Sequence, residues 1–221
     1  MFDLAREYDA QLHQGLRLSG EDKDFFIRGR LSDLRRRLPA GFRPERILDF
    51  GCGVGDTARH LAAMFPEARV VGFDTSEPAL ALARRNCASE RVSFCASFPN
   101  LETVDLCYCN GVFHHIPRQQ RPEVMGEISR KTRAGGLFAL FENNPWNPGT
   151  RMVMRRIPFD REAQPLPARE TRRLLEQGGF SHCYSTRYLF YFPRPLARLR
   201  PLEAFLVRLP LGAQYYLMAR K

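Results

Sequence analysis

The sequence predicts an α/β protein: a mostly parallel sheet with helices on both faces. Short apolar runs rich in β-branched and aromatic residues alternate with helical stretches. The first run ends in a glycine-rich turn, "ILDFGCGVGDTAR" at 47–59. Two more strand-like segments close the chain after residue 180. The 221 residues suffice for one domain with a sizeable core. The expected organisation is one unit over 1–221, with a helical cap (1–40), a ligand-binding core (44–142), and an insert with closing strands (143–221).

Residues 3–38 pattern as helix, interrupted near "LSGEDKDFF". There Ser19, with Asp22 three residues later, predicts a helix cap. Strands are expected at 46–50, 69–74, 92–95, 104–110 and 137–142, and helices at 56–64, 77–86 and 119–132. "RAGG" before Leu137 predicts a helix stop followed by a turn. "HCYSTRYLFYF" and "AQYYLMARK" predict an antiparallel closing pair. There is no internal repeat and no low-complexity segment.

A hydrophobic content of 44% with 26% charged residues is that of an ordinary globular chain. No apolar run reaches the roughly 18 residues that span a bilayer. "MFDLAREYDAQ" has no signal-peptide pattern, so a cytoplasmic location is expected. The six cysteines follow no zinc spacing; Cys107 and Cys109 form C-x-C inside an apolar run. They are expected to be reduced core residues, and no metal site is expected. The net charge of +10 is almost all arginine, scattered along the chain. It fits either a compositional bias or an anionic partner, nucleic acid or membrane.

The glycine turn narrows the function. Dinucleotide-binding turns run G-x-G-x-x-G and cradle a pyrophosphate. Here Gly51, Gly53 and Gly55 run G-x-G-x-G, and Asp49 stands two residues before the first. A carboxylate there suits an ammonium group and repels a pyrophosphate. Asp74, 23 residues after Gly51, ends the next strand, where an acid can accept both ribose hydroxyls. One acid for a cation and one for a ribose describe S-adenosylmethionine better than NAD.

"ILDFGCGVG", "VVGFDTS", "VDLCYCNGVFHHIP" and "RAGGLFALFE" resemble, in order and spacing, the motifs of class I S-adenosylmethionine-dependent methyltransferases of the small-molecule branch. The resemblance implies the Rossmann-like fold of that family: a seven-stranded sheet in order 3-2-1-4-5-7-6, with strand 7 antiparallel and an N-terminal helical lid. It implies a cofactor site at Asp49, Gly51, Cys52, Gly53, Gly55, Asp74, Thr75, Asn110 and Gly111. The family's acidic residue after strand 3, which contacts adenine, is replaced by "CASFPN"; Ser97 or a backbone amide stands in for it.

Methyl transfer from a sulfonium is a direct displacement, so positioning supplies much of the rate, up to roughly 7–11 kcal/mol. An oxygen or nitrogen acceptor that must lose a proton also needs a base, worth about 10²–10⁴-fold. Acceptor-site residues are expected after the strands at 104–110 and 137–142, in "NGVFHHIP" and "FENNPWNP". The "HHI" pattern resembles methyltransferases, including the phosphobase type, with a catalytic histidine in the second slot. That resemblance makes His115 the expected base and Tyr8 the lid tyrosine, with His114 on the acceptor. Glu142 and Asn143 are expected to orient the acceptor. "NNPW" is similar to the N-P-P-Y motif of adenine methyltransferases but follows the wrong strand, so Trp146 is assigned to the acceptor pocket. The arm "YFPRPLARLRPLEAFLVRLPLG" is either an ordinary packed segment or a basic apolar surface for peripheral membrane contact. Three functions are weighed: a small-molecule O- or N-methyltransferase, an RNA-modifying methyltransferase, and a non-catalytic cofactor-binding partner of another enzyme.

Overall fold

The computed structural model describes residues 19–98, 103–157 and 163–221. Helix α1 (Lys23–Arg37) leads into β1 (Arg46–Phe50), α2 (Asp56–Met64), β2 (Arg69–Phe73), α3 (Glu77–Cys87), β3 (Val92–Cys95) and β4 (Val104–Asn110). A 3₁₀ turn (Phe113–His115) then precedes α4 (Arg121–Lys131), β5 (Thr132–Asn143), α5 (Pro148–Arg156) and α6 (Ala168–Gln177). The chain ends with β6 (His182–Cys183), β7 (Arg187–Leu189), a 3₁₀ stretch (Arg194–Leu202), α7 (Glu203–Leu206) and β8 (Gln214–Arg220). The sheet order is β3-β2-β1-β4-β5-β8-β6, with β7 also on β8. Strands β1 to β5 pair in parallel, and β8 runs antiparallel to β5, β6 and β7. This is the order the resemblance implies, with the last strand of the chain as the antiparallel one.

The central strands are apolar along their length because helices cover both faces. Side-chain alternation sends Ile47 to the face shared with Ile27, Leu31 and Leu34 of α1, and Leu48 and Phe50 to the face packed by Met125, Ile128, Leu174 and Leu175. Asp49 points to the same side as Ile47, toward α1. Cys107 and Cys109 are fully buried free thiols on β4, and the other four cysteines are also unpaired.

Three local expectations are corrected. Asp22, not Ser19, caps α1: its carboxylate accepts the Phe25 N–H at 2.7 Å, while Ser19 Oγ accepts the Glu21 N–H at 3.2 Å. "RAGG" is not a free turn but a bulged start of β5, where the pairing jumps from Thr132–Val104 to Leu137–Leu106 and Gly135 takes φ +75°. The segment "HCYSTRYLFYF" forms two short strands, β6 and β7.

A buried polar cluster ties α1 to the sheet. Asp33, 5% exposed, accepts two bonds from the Arg187 guanidinium, at 2.8 and 2.7 Å, and one from the Tyr216 hydroxyl at 2.7 Å. Three elements, α1, β7 and β8, therefore meet on one carboxylate. Asp33→Ala would leave a partly buried guanidinium and a hydroxyl without their acceptor. It should cost about 3 kcal/mol, the low end for breaking a buried pair, because Arg187 keeps 24% of its side chain exposed. Urea unfolding with a loss below about 1 kcal/mol would show that α1 is held by its apolar face alone.

Candidate functional site

A cavity of about 520 Å³ opens over the carboxyl ends of β1, β4 and β5. Its floor is the glycine turn after β1 and the end of β4; its walls come from α1, α5 and residues 190–193. This is the crevice where the chain leaves β1 toward one sheet edge and β4 toward the other, the usual ligand position in open α/β sheets.

The turn is held by the neighbouring strand. The Gly51 and Cys52 N–H groups both donate to the Phe73 carbonyl, at 2.7 and 2.9 Å. A Cβ on Gly51 would meet Val112 at 2.2 Å, whereas one on Gly53 would meet nothing within 4 Å. Gly51 is therefore required by packing. Gly53, at φ +53°, is the open place where a ligand can approach the backbone.

Asp49 lies 2% exposed at the bottom of this turn. Burial and the Asp74 charge push its carboxyl up to about 7, against the pull of Arg30 and the Ala58 backbone N–H on α2. Its Oδ2 has no hydrogen-bond partner among the described residues, nor does the buried Oδ1 of Asn110. Two buried acceptors without donors in one cavity call for a ligand that donates hydrogen bonds.

Asp74 stands just past β2, and its carboxylate accepts the Gly53 N–H at 2.8 Å and the Ser76 N–H at 2.9 Å. It braces the turn from beside the cavity. Thr75 and Ser97 are exposed outside the cavity wall, while Cys52, Gly111, His114, His115 and Asn143 line it. Gly55 starts α2 at φ +88° beneath Phe94.

The two histidines differ sharply. His114 is 3% exposed, and its Nδ1 donates to Glu142 Oε2 at 2.6 Å. Glu142 is fully buried, and its other oxygen accepts the Phe113 N–H at 2.9 Å. His115 is half-buried with its ring 4.1 Å from that of His114. Glu142 is thus the partner of His114 and lies behind the cavity wall. Asn143 Oδ1 accepts from Gln214 Nε2 at 3.2 Å. Trp146 is 71% exposed and outside the cavity lining. Its neighbours explain "NNPW" structurally: Asn144 donates to the carbonyls of Pro210 and Gly212, and Asn147 caps α5 through the Thr150 N–H. Tyr8 lies outside the described residues. Among the described residues, no three His, Cys, Asp or Glu side chains cluster as metal ligands.

Two contributors were missed from sequence. Arg30, 5% exposed, donates to the Tyr108 hydroxyl at 3.1 Å and to Gln214 Oε1 at 3.0 Å, with no carboxylate in ion-pair range among the described residues. Its place on the Ile27–Leu31–Leu34 stripe was a visible signal, an arginine on an apolar helix face. Phe190 holds φ +63° and packs its ring 4.9 Å from Phe26, closing one wall. Nothing in the local sequence marks it.

Residues 47–136 match the family model described as "Methyltransferase domain". A trans-aconitate 2-methyltransferase of Methylobacterium nodulans is 32% identical over 148 residues, covering 64% of this chain and 56% of that protein. A second, from Variovorax paradoxus, is 31% identical over 156 residues, covering 67% and 58%. The chain thus spans less than two thirds of the length of these relatives. Human N-acetylserotonin methyltransferase in complex with S-adenosylmethionine superposes with a TM-score of 0.65 at 17% identity, over 98% of this chain and 57% of that one. The family uses S-adenosylmethionine, whose ammonium group fits the acceptors left open at Asp49 and Asn110 and whose bulk fits the space over Gly53. Over residues 47–136 the chain thus resembles a methyltransferase domain, and its sheet has the Rossmann-like fold of the S-adenosylmethionine-dependent methyltransferases.

Proposed function

We propose that the protein transfers a methyl group from S-adenosylmethionine to an oxygen or nitrogen of a small-molecule acceptor. One observation carries this reading: a single cavity joins the orphaned acceptors Asp49 Oδ2 and Asn110 Oδ1 to a histidine backed by a buried carboxylate. The relatives' names also give a small-molecule acceptor, trans-aconitate. The bound cofactor supplies an electrophilic methyl on a sulfonium. Asp49 and Asn110 accept from its ammonium group, and Asp74 is placed beside the turn for the ribose.

Proton handling falls to His114. With Glu142 ionised, Nδ1 must donate to it, so Nε2 is the basic nitrogen. The carboxylate also stabilises the imidazolium that forms when the acceptor gives up its proton. The Phe113 N–H holds Glu142 in place, which fixes the ring through a second contact. His115 lines the same cavity without a carboxylate and helps to shape the acceptor end.

Cofactor affinity should depend on the Asp49 proton. The free protein holds this carboxyl near 7, and an ammonium ligand favours its ionised form, so binding releases the proton. Affinity is then full above pH 7 and weakens as pH falls, by up to about tenfold per unit. Calorimetry from pH 7.5 to 5.5 should show this slope, and Asp49→Asn should abolish it while binding about 10- to 100-fold more weakly. A flat profile in the parent protein would remove Asp49 from the ammonium site. Gly53→Val, a side chain placed in the cradle, should prevent cofactor binding in a protein that is still folded by circular dichroism.

In turnover, His114→Ala should lose about 10²–10⁴-fold with near-normal cofactor affinity. Glu142→Gln should lose less, because the ring keeps a hydrogen-bond partner but loses the charge that supports imidazolium. If His115→Ala gives the larger loss and His114→Ala a small one, the base is His115 and the Glu142 pair is structural.

A further inference from the structure

Among the described residues, every exposed large hydrophobic side chain falls in two segments. Trp146 and Met152 lie at α5, with Trp146 71% exposed. Leu202, Phe205, Leu209, Leu211 and two further leucines lie on the arm between β7 and β8, with Phe205 84% exposed. The segments are stitched together: Asn147 Nδ2 donates to the Leu211 carbonyl at 2.7 Å, and Asn144 bonds the carbonyls of Pro210 and Gly212. Both reach the cavity, α5 through Met152 and Val153 and the arm through Pro193 and Arg200. The apolar surface therefore rims the cavity mouth.

The same surface is strongly cationic. Residues 146–156 carry three arginines and no acid; residues 193–211 carry four arginines and only Glu203. Glu203 is turned inward and accepts the Tyr191 and Phe192 N–H groups. Arg151, Arg155, Arg156, Arg198 and Arg208 are exposed, with no carboxylate in ion-pair range among the described residues.

Leucines and aromatics interleaved with arginines that have no carboxylate partner among the described residues match an anionic lipid interface, where apolar side chains enter the acyl boundary and guanidinium groups meet phosphates. A nucleic acid would use the arginines but gain nothing from exposed leucines, which do not stack on bases. A second copy would bring like charges face to face. We propose that this surface seats the protein on an anionic bilayer, with the cavity mouth at the headgroup level. No helix among the described residues is long and apolar enough to cross a membrane, so the contact is peripheral. If the methyl-transfer reading holds, the acceptor entering there is amphiphilic; the docking itself does not depend on that reading.

The test is co-sedimentation of the full chain with vesicles of phosphatidylglycerol mixed with phosphatidylcholine, and of phosphatidylcholine alone, at physiological salt. Binding is expected on the anionic vesicles and at least about tenfold weaker on the neutral ones. The pair Phe205→Ser with Leu211→Ser, and the triple Arg155→Gln, Arg156→Gln and Arg208→Gln, should each lower binding about tenfold or more. These side chains are exposed, and S-adenosylmethionine affinity measured by calorimetry should stay unchanged in both variants. No vesicle binding by a protein that binds the cofactor would overturn docking and leave the methyltransferase reading intact. So would undiminished binding by both variants, a dimer that Phe205→Ser dissociates, or RNA that displaces the vesicles and binds the Phe205 variant equally well. Vesicle binding without cofactor binding would support docking and count against methyl transfer.

Discussion

A carboxylate buried at the end of the central strand constrains the rest of this structure. Alternation along β1 sends Asp49 into the face covered by α1, away from bulk water. Burying a charge costs several kcal/mol unless it is paired. The protein compensates in part, with the Ala58 N–H at the start of α2 and the Arg30 charge from α1. One oxygen is left without a donor. Burial raises this carboxyl to about 7, so the ligand-free fold keeps a polar group in an unfavourable state that a cationic ligand relieves. An apolar residue there would stabilise the sheet more, which accords with the binding role proposed for Asp49.

Helix α1 is consequently more than a cover. Its stripe Ile27, Leu31 and Leu34 packs on the sheet, and from the same stripe Arg30 reaches Tyr108 and Gln214 beside the cavity. One turn on, Asp33 clamps Arg187 and Tyr216. The polar contacts fix the rotation of the helix, which apolar burial alone leaves loose. Phe25 and Phe26 then meet Phe190 at one wall of the cavity. Stability and the shape of the site are set by the same few residues.

Much of this was legible in the sequence, because strand alternation, glycine spacing and acidic residues at strand ends are local signals. Strands β1 to β4 fell where their apolar runs do, and the sheet order followed from the motif resemblance. What escaped depends on tertiary geometry. Both partners of the His114–Glu142 contact were singled out in the sequence, but not their pairing, because a 3₁₀ turn decides which ring faces Glu142. Ser19 was expected as the cap with Asp22 as its partner, and the shift to Asp22 rests on where the first helical N–H groups point. The bulge in "RAGG" arises because β5 must realign with β4 around extra residues, a constraint that only pairing reveals. Trp146 was assigned to the acceptor pocket because "NNPW" follows the end of β5; the asparagines around it do the local structural work instead.

Strand order also sets the layout of the chemistry. In the register, Asp49 lies opposite Tyr108, Asn110 is two residues further along β4 and pairs with Phe141, and Glu142 follows Phe141 on β5. Neighbouring strands are roughly 4.8 Å apart. The polar groups therefore step across the crevice in chain order β1, β4, β5, and Glu142 lies two strands, roughly 10 Å, across from Asp49 and three residues, roughly 10 Å, further along. Asp49 and Asn110 each keep an oxygen without a donor among the described residues, whereas both oxygens of Glu142 are engaged, by the Phe113 N–H and by His114. In the proposed reading the ligand runs from its cationic end at β1 toward Asp74 past β2, which leaves the β5 side of the cavity, where His114 lies, to the acceptor. On that reading, the separation of binding and proton-handling groups is a property of the sheet, and α5 and the arm, which also line the cavity, are left to select what enters beside them.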